Sequence, residues 1–224
     1  PHPGGSPYNL AIGLARQGES VSYLSPLSDD LFGDRLLGHL KRESVQVGLG
    51  RRSSLPTSIA LIATNQQGKP RYQLYRDGVA DKDITFAEIE ANLPPNIKLM
   101  HTGSLAITPS QLPKIRQLLM RMNAKSIPES LDINIRLGAS SNTAAYLKGV
   151  RSLLPLADIV KASDEDLEAF QFGTSPERAA QIAFEEMQSG MLVLTQGNAQ
   201  TVLITAKDIF RFSPPSVHKI EDTV

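Results

Sequence analysis

The chain contains no cysteine and no tryptophan. Without cysteine there are no disulfides, thiolate nucleophiles or cysteine-ligated metals. With aromatics at only 5%, little side-chain surface is left for stacking a nucleobase. Charge of one sign is not in excess: 23 Lys and Arg balance 23 Asp and Glu, so nothing points to nucleic acid or an anionic membrane surface as a partner. No apolar run approaches the roughly 18 residues that a membrane span needs, and the first residues do not read as a signal peptide. A cytoplasmic protein is the expectation. The four histidines, His2, His39, His101 and His218, are scattered without metal-ligand spacing, and each is expected on the surface or in a loop.

What is present is an ordinary globular balance, 41% hydrophobic and 21% charged, enough to bury a sizeable core. Short apolar runs alternate with amphipathic stretches, the pattern of βα units on a largely parallel sheet. The periodicity predicts helices over 7–17, 30–43, 109–122, 143–154, 164–171 and 175–189. Strands are predicted over 20–25, 97–103, 126–131, 157–161, 191–195 and 201–205. In the second helix Leu31, Leu36, Leu37 and Leu40 recur at helical spacing, with Asp29 or Asp30 as N-cap. Pro128 removes a ladder donor, which argues against a central strand at 126–131. Residues 57–76 break the rhythm: two alternating stretches flank "QQGK", an antiparallel hairpin placed to act as a lid, or else an edge ornament. The whole reads as one domain with this β excursion.

"GGSPYN" at 4–9 opens the first helix. Paired glycines let a ligand approach the backbone, Pro7 suits a first helical turn, and Asn9 carries a donor and an acceptor suited to a sugar hydroxyl. A turn before a helix is the plainer reading of the same residues.

Taken together, the motifs are more specific. "GGSPYNLAIGLARQG", "SPLSDDLFGDRLLGHLKRESV", "YRDGVAD", "LDINIR", "VKASDED", "VLTQG" and "IEDTV" occur in the order and at the spacing of the ribokinase-like (PfkB) carbohydrate kinases. The chain resembles that family over essentially its whole length, and "YRDGVAD" and "LDINIR" are most similar to fructokinases. The resemblance implies a three-layer α/β/α fold with a largely parallel central sheet and a small β-hairpin lid at about 57–76. It implies ATP and Mg2+ as cofactors, a small sugar as substrate, and a possible pairing of two copies through the lid.

Carried over by position, the resemblance puts Gly4, Gly5 and Asn9 in the sugar pocket and Arg76 on its lid side. Asp132, Asn134 and Arg136 fall at a strand's C-terminal end, where open α/β sheets bind ligands. Arg136 and Lys161 supply positive charge to a transferring phosphoryl group. The stretch 163–166 helps place metal and phosphate, with Ser163 on the cofactor side. Asp166, standing where the family usually has Glu, would be the metal residue, through a bridging water if its reach is short. Thr195 and Gly197 touch the nucleotide, and Asp222 and Thr223 open the second family signature. Plainer roles stand beside these: ion pairing for Arg76 and Arg136, an N-cap for Ser163, and helix-dipole complements for Asp164 and Glu165. Gln200, Ser25 and Ser28 replace residues that are often glycine in the family.

Family members have a strand before the paired glycines and a Gly-Ala-Gly-Asp after the D-T-x, whose Asp is the general base. The expectation is therefore a domain incomplete at both ends, with the base after Val224 and little activity in this chain alone. Phosphorylation of fructose is the leading function. A 2-keto-3-deoxygluconate kinase is the alternative, with Arg76 and Arg136 facing a substrate carboxylate. A non-catalytic sugar- or nucleotide-binding relative is the other class.

Overall fold

The protein is described from a computed structural model that covers residues 2–64 and 70–215. The chain divides into two compact units, Pro1–Lys98 with Thr108–Leu118, and Leu99–Ile107 with Leu119–Val224.

The first unit begins with α1 (Ser6–Arg16), β1 (Ser22–Tyr23), α2 (Leu31–Arg42) and β2 (Gln46–Val47), β1 and β2 pairing in parallel. Its core is a cluster of Tyr8, Ala11, Ile12, Leu27, Leu40 and Val45, all buried. Each large aliphatic side chain so covered contributes about 1.5–3 kcal/mol. Polar contacts fix the helices within this cluster: the Tyr8 hydroxyl donates to the Leu36 carbonyl at 3.2 Å, and Arg16 forks onto Glu43 at 2.7 and 2.6 Å. Of the four leucines expected to line the α2 core face, Leu40 is fully buried, and Leu36 and Leu37 pack against the cluster. Leu31 does not belong with them: it is 85% exposed, because it occupies the first turn, ahead of the stripe.

Asp30 is the α2 N-cap, its carboxylate accepting the Gly33 amide at 2.7 Å. The same carboxylate accepts the Thr57 amide and hydroxyl at 2.8 and 2.7 Å, so one side chain ties α2 to the approach of the hairpin. The hairpin is β3 (Ile59–Thr64) against β4 (Pro70–Tyr75), antiparallel, with Ile59 opposite Tyr75. Residues of its turn lie outside the described ones. After a short 3-10 turn at Ala80–Lys82 comes α3 (Phe86–Ala91), closed by a capping box in which Thr85 and Glu88 satisfy each other's backbone amides.

The second unit is a six-stranded sheet: β5 (Met100–Gly103), β6 (Glu129–Asp132), β7 (Ile159–Ser163), β8 (Met191–Thr195), β9 (Thr201–Thr205) and β10 (Ile209–Phe212), in spatial order β10-β9-β8-β7-β6-β5. β5 to β8 run parallel, and β9 and β10 are antiparallel to their neighbours. The helices are α4 (Leu112–Ala124), within which the division between units falls, then α5 (Thr143–Arg151), α6 (Asp164–Phe170) and α7 (Pro176–Met187). Leu131, Val160, Ala162, Leu192, Leu194, Val202 and Ile204 are buried on one sheet face. Ala179, Ala180, Ala183 and Met187 are buried on α7, which packs on β8 and β9. The residues that alternate with the sheet's buried set are half-buried and more polar, including His101, Ser130, Lys161 and Thr195.

Pro128 does not prevent β6 from lying between β5 and β7. It stands one residue before the strand, where no ladder N–H is required, and its carbonyl accepts the Met100 amide at 3.0 Å.

Candidate active site

In the first unit, the Gly5 N-cap of α1 has φ 118°, a conformation open to glycine and strained for other residues. The Gly5 carbonyl accepts the Asn9 amide at 2.8 Å, which closes the first helical turn. Gly4, Gly5 and Asn9 are exposed. Asn9 lines a groove of about 260 Å³ with Ile12, Gly13, Arg16 and His39.

Arg76 takes the plainer of its two expected roles, that of an ion-pair partner. Its guanidinium is paired with Asp81, and its side chain is only 14% exposed. Lys82 donates to the Arg76 carbonyl. These contacts close the exit of β4 onto the following turn, so Arg76 acts here as an anchor of the hairpin and offers no open cation. The electrostatics of the other leg are similar. Burial opposes ionisation of Asp30, but the Thr57 and Gly33 amides and the Thr57 and Ser28 hydroxyls outweigh it and hold the carboxyl at about 2.

In the second unit, the C-terminal ends of the parallel strands gather polar residues. Register sets Gly103 beside Asp132, Asp132 beside Lys161, and Ser163 beside Thr195. Gly103 has φ 153°, and a Cβ there would lie 2.0 Å from the Asp132 carbonyl oxygen. The close approach of β5 to the end of β6 therefore requires glycine. Lys161 Nζ lies 3.2 Å from Asp132 Oδ1, with the carboxylate more covered than the ammonium. Asn134 donates to Asp132 Oδ2 at 3.4 Å from a backbone at φ 36°, a left-handed turn of the kind that collects at functional sites. Arg136 is exposed, its guanidinium donating only to the adjacent Ile135 carbonyl at 3.0 Å, with no carboxylate partner among the described residues.

Asp166 lies in the first turn of α6. It is 5% exposed, and its two oxygens accept the Ile135 amide at 2.7 Å and the Ser163 amide at 2.9 Å. Ser163 Oγ in turn accepts the Asp166 amide at 3.1 Å, so the pair forms the capping box of α6. The N-cap reading of Ser163 is thus realised. Asp166 staples the loop after β6 to the start of α6. Among the described residues no group of three or more His, Asp or Glu side chains is gathered to hold a metal.

Thr195 ends β8, its hydroxyl 3.5 Å from the Ala162 carbonyl. Gly197, at φ 56°, has open space where a Cβ would stand, so this turn leaves room for close approach of a ligand to its backbone. Asp222 and Thr223 lie outside the described residues.

His101 was not singled out by the sequence reading, which put it on the surface or in a loop. It lies on β5 beside Ser130, with Nδ1 3.0 Å from the Ser130 hydroxyl and Nε2 buried without a hydrogen-bond partner among the described residues. Burial lowers its pKa, opposed by the charge of Asp132. Its position inside the stretch 97–103, already read as a strand, was the available signal.

The sheet order and the polar strand ends define an α/β protein of the ribokinase-like class. The PfkB protein from Polaromonas sp. JS666 superposes with a TM-score of 0.84 at 21% identity, covering 96% of this chain and 73% of that one. A fructokinase with bound ATP from Xylella fastidiosa superposes at 0.81 with 24% identity, covering 93% and 67%. In sequence, residues 1–224 match the family model described as pfkB family carbohydrate kinase, and the chain belongs to that family. A curated fructokinase from Rhizobium leguminosarum bv. trifolii is 31% identical over 170 residues, 76% of this chain and 52% of that protein. The chain thus spans about half the length of that curated relative.

Proposed function

We propose that the full-length protein transfers the γ-phosphoryl group of ATP to a hydroxyl of a small sugar, with fructose as the preferred acceptor. The observation that carries this reading is the row of Asp132, Lys161, Asn134 and Arg136 around the ends of two parallel strands in a pfkB-family chain. A transferring phosphoryl group spreads negative charge over its oxygens, and catalysis then rests on positioning and on fixed positive charge. Lys161 and Arg136 supply that charge. Thr195 and Gly197 border the nucleotide, with Ser163 nearby, and Asp222 and Thr223 continue that role. Gly4, Gly5 and Asn9 face the sugar. ATP comes with Mg2+ in this reading. With each of its oxygens already accepting a backbone amide, Asp166 would hold the metal through a bridging water, the habit of a cation that dehydrates reluctantly.

Fructose is favoured over 2-keto-3-deoxygluconate by the likeness to a fructokinase at 31% identity. A substrate carboxylate would need at least one of Arg76 and Arg136, and with Arg76 paired to Asp81 that falls to Arg136. A neutral ketohexose asks for neither. The exposed Ile59, Leu61, Ile62 and Tyr75 of the hairpin fit a second copy of the chain, and a cytoplasmic setting fits an ATP-dependent sugar kinase. Among the described residues no helix is long and apolar enough to cross a membrane.

The test is Mg2+-dependent ADP release by the full-length protein with ATP and, separately, fructose, 2-keto-3-deoxygluconate, ribose or adenosine. Release stimulated chiefly by fructose is the expected result. Stimulation by the acid sugar alone would replace the substrate, and silence across the panel, with fructose still binding, would favour the non-catalytic relative.

A further inference from the structure

Away from the strand ends just described, the second unit carries a groove of about 480 Å³ between α5 and the last turn of α6. Ala144, Leu147, Lys148 and Arg151 form one stripe of α5 along it, at the three- and four-residue spacing that puts side chains on a common face. Ala169 and Phe170 border it from α6. The opposite row of α5, Tyr146 and Val150, is fully buried, so this stripe is what the helix leaves open.

Two of the bordering side chains are held before any ligand arrives. The Arg151 guanidinium forks onto Glu186, one bond measuring 2.7 Å, and lies 4.8 Å from the centre of the Phe172 ring. Phe172 stacks on Phe170 at 4.9 Å with the planes 13° apart. Glu186 balances the charge of Arg151. The Lys148 side chain is exposed, and its ammonium has no ion-pair or hydrogen-bond partner among the described residues. The groove therefore joins an apolar border to one uncompensated positive charge, and its volume lies in the range of small-molecule sites.

We infer that this groove binds a small organic monoanion, a carboxylate with an apolar or aromatic body, whose charge meets Lys148 and whose body lies against Leu147 and Phe170. One uncompensated cation matches a carboxylate better than a doubly charged phosphate, since a second negative charge would be desolvated without a partner. The inference does not rest on the kinase reading, and its test does not measure catalysis.

The probe is 2-naphthoate, titrated into the isotopically labelled full-length protein while backbone amide chemical shifts are followed, with neutral 2-naphthylmethanol as control. Saturable shifts confined to residues 143–151 and 169–172 are expected. Affinity should fall at least about fivefold for the alcohol and for Lys148→Gln, a loss of about 1 kcal/mol. Phe170→Ala should weaken binding as much. Lys148 is exposed, so Lys148→Gln should leave the remaining spectrum unchanged and report on the groove alone. Absence of saturable shifts in these residues up to about 10 mM, a bound weaker than any useful affinity, would overturn the inference. Equal binding of the alcohol, or unaltered binding by Lys148→Gln, would do so as well.

Discussion

Glu129 begins β6 on the buried side of the sheet, opposite Met100, with no exposed surface; the Asn123 backbone amide is the one group that favours its charged form, and it is outweighed. The Glu129 amide donates to Asp158 Oδ2 at 2.9 Å, which brings a second carboxylate close. Burial, and then the charge of Asp158, push the Glu129 carboxyl up to about 8 from about 4.5. The folded protein therefore holds a proton that the unfolded chain releases at lower pH. The resulting stability is fully present below about pH 4.5 and is lost as pH rises toward 8, each pH unit in between costing about 1.4 kcal/mol at most. Glu129→Gln should flatten this dependence, raising the unfolding midpoint at pH 8 relative to the parent while changing little at pH 4.5. Urea unfolding at the two pH values measures it, and a parent protein as stable at pH 8 as at pH 5 would refute the assignment. Gly103 gives a sharper steric case. Gly103→Ala sets a methyl against the Asp132 carbonyl and should cost at least about 2 kcal/mol through strain and displacement of β6, read from the same unfolding experiment.

At the scale of elements, Asp30 links two that are distant in sequence. Asp30→Ala removes the α2 N-cap, worth about 1–2 kcal/mol, and also the acceptor for the Thr57 amide and hydroxyl. Hydrogen exchange should therefore quicken at Thr57 as well as in the first turn of α2. Exchange that changes only in α2 would mean that the tie to the hairpin carries no stability. Such ties also mark how far the sequence could be read. The helices of the second unit, the hairpin and the strands β7 to β9 were legible because each shows its own period over enough residues. α3 was missed although Thr85 and Glu88 have capping-box spacing, because six residues are too few to establish a helical stripe. β10 was missed because all four of its residues are exposed, so it has no alternating buried face. Lys161 on β7 and Asn134 in the turn after β6 were singled out by motif and position. That Arg76 would meet Asp81, or Asp166 the Ile135 amide, depends on how segments pack, and no local pattern encodes it.

At the scale of the whole molecule, the kinase reading separates two cations that sequence alone treats alike. Lys161 belongs to the internal polar network, since it lies beside the buried Asp132. Removing it leaves a covered carboxylate without its cation, which destabilises a protein whatever its function. The Arg136 side chain is exposed, and among the described residues its guanidinium bonds only to its neighbour's carbonyl, so its loss should change stability by no more than about 0.5 kcal/mol. In the full-length protein, Arg136→Ala should thus lower kcat for sugar phosphorylation by about 10²-fold, the scale of removing one charge-stabilising donor, with an unchanged melting temperature. Lys161→Met should lower both rate and melting temperature. If Arg136→Ala leaves the rate intact, the positive charge at this strand end does not act on the phosphoryl group. If instead it raises KM for the sugar with kcat unaltered, Arg136 binds the acceptor equally in the ground and transition states, and its role moves from charge stabilisation to substrate recognition.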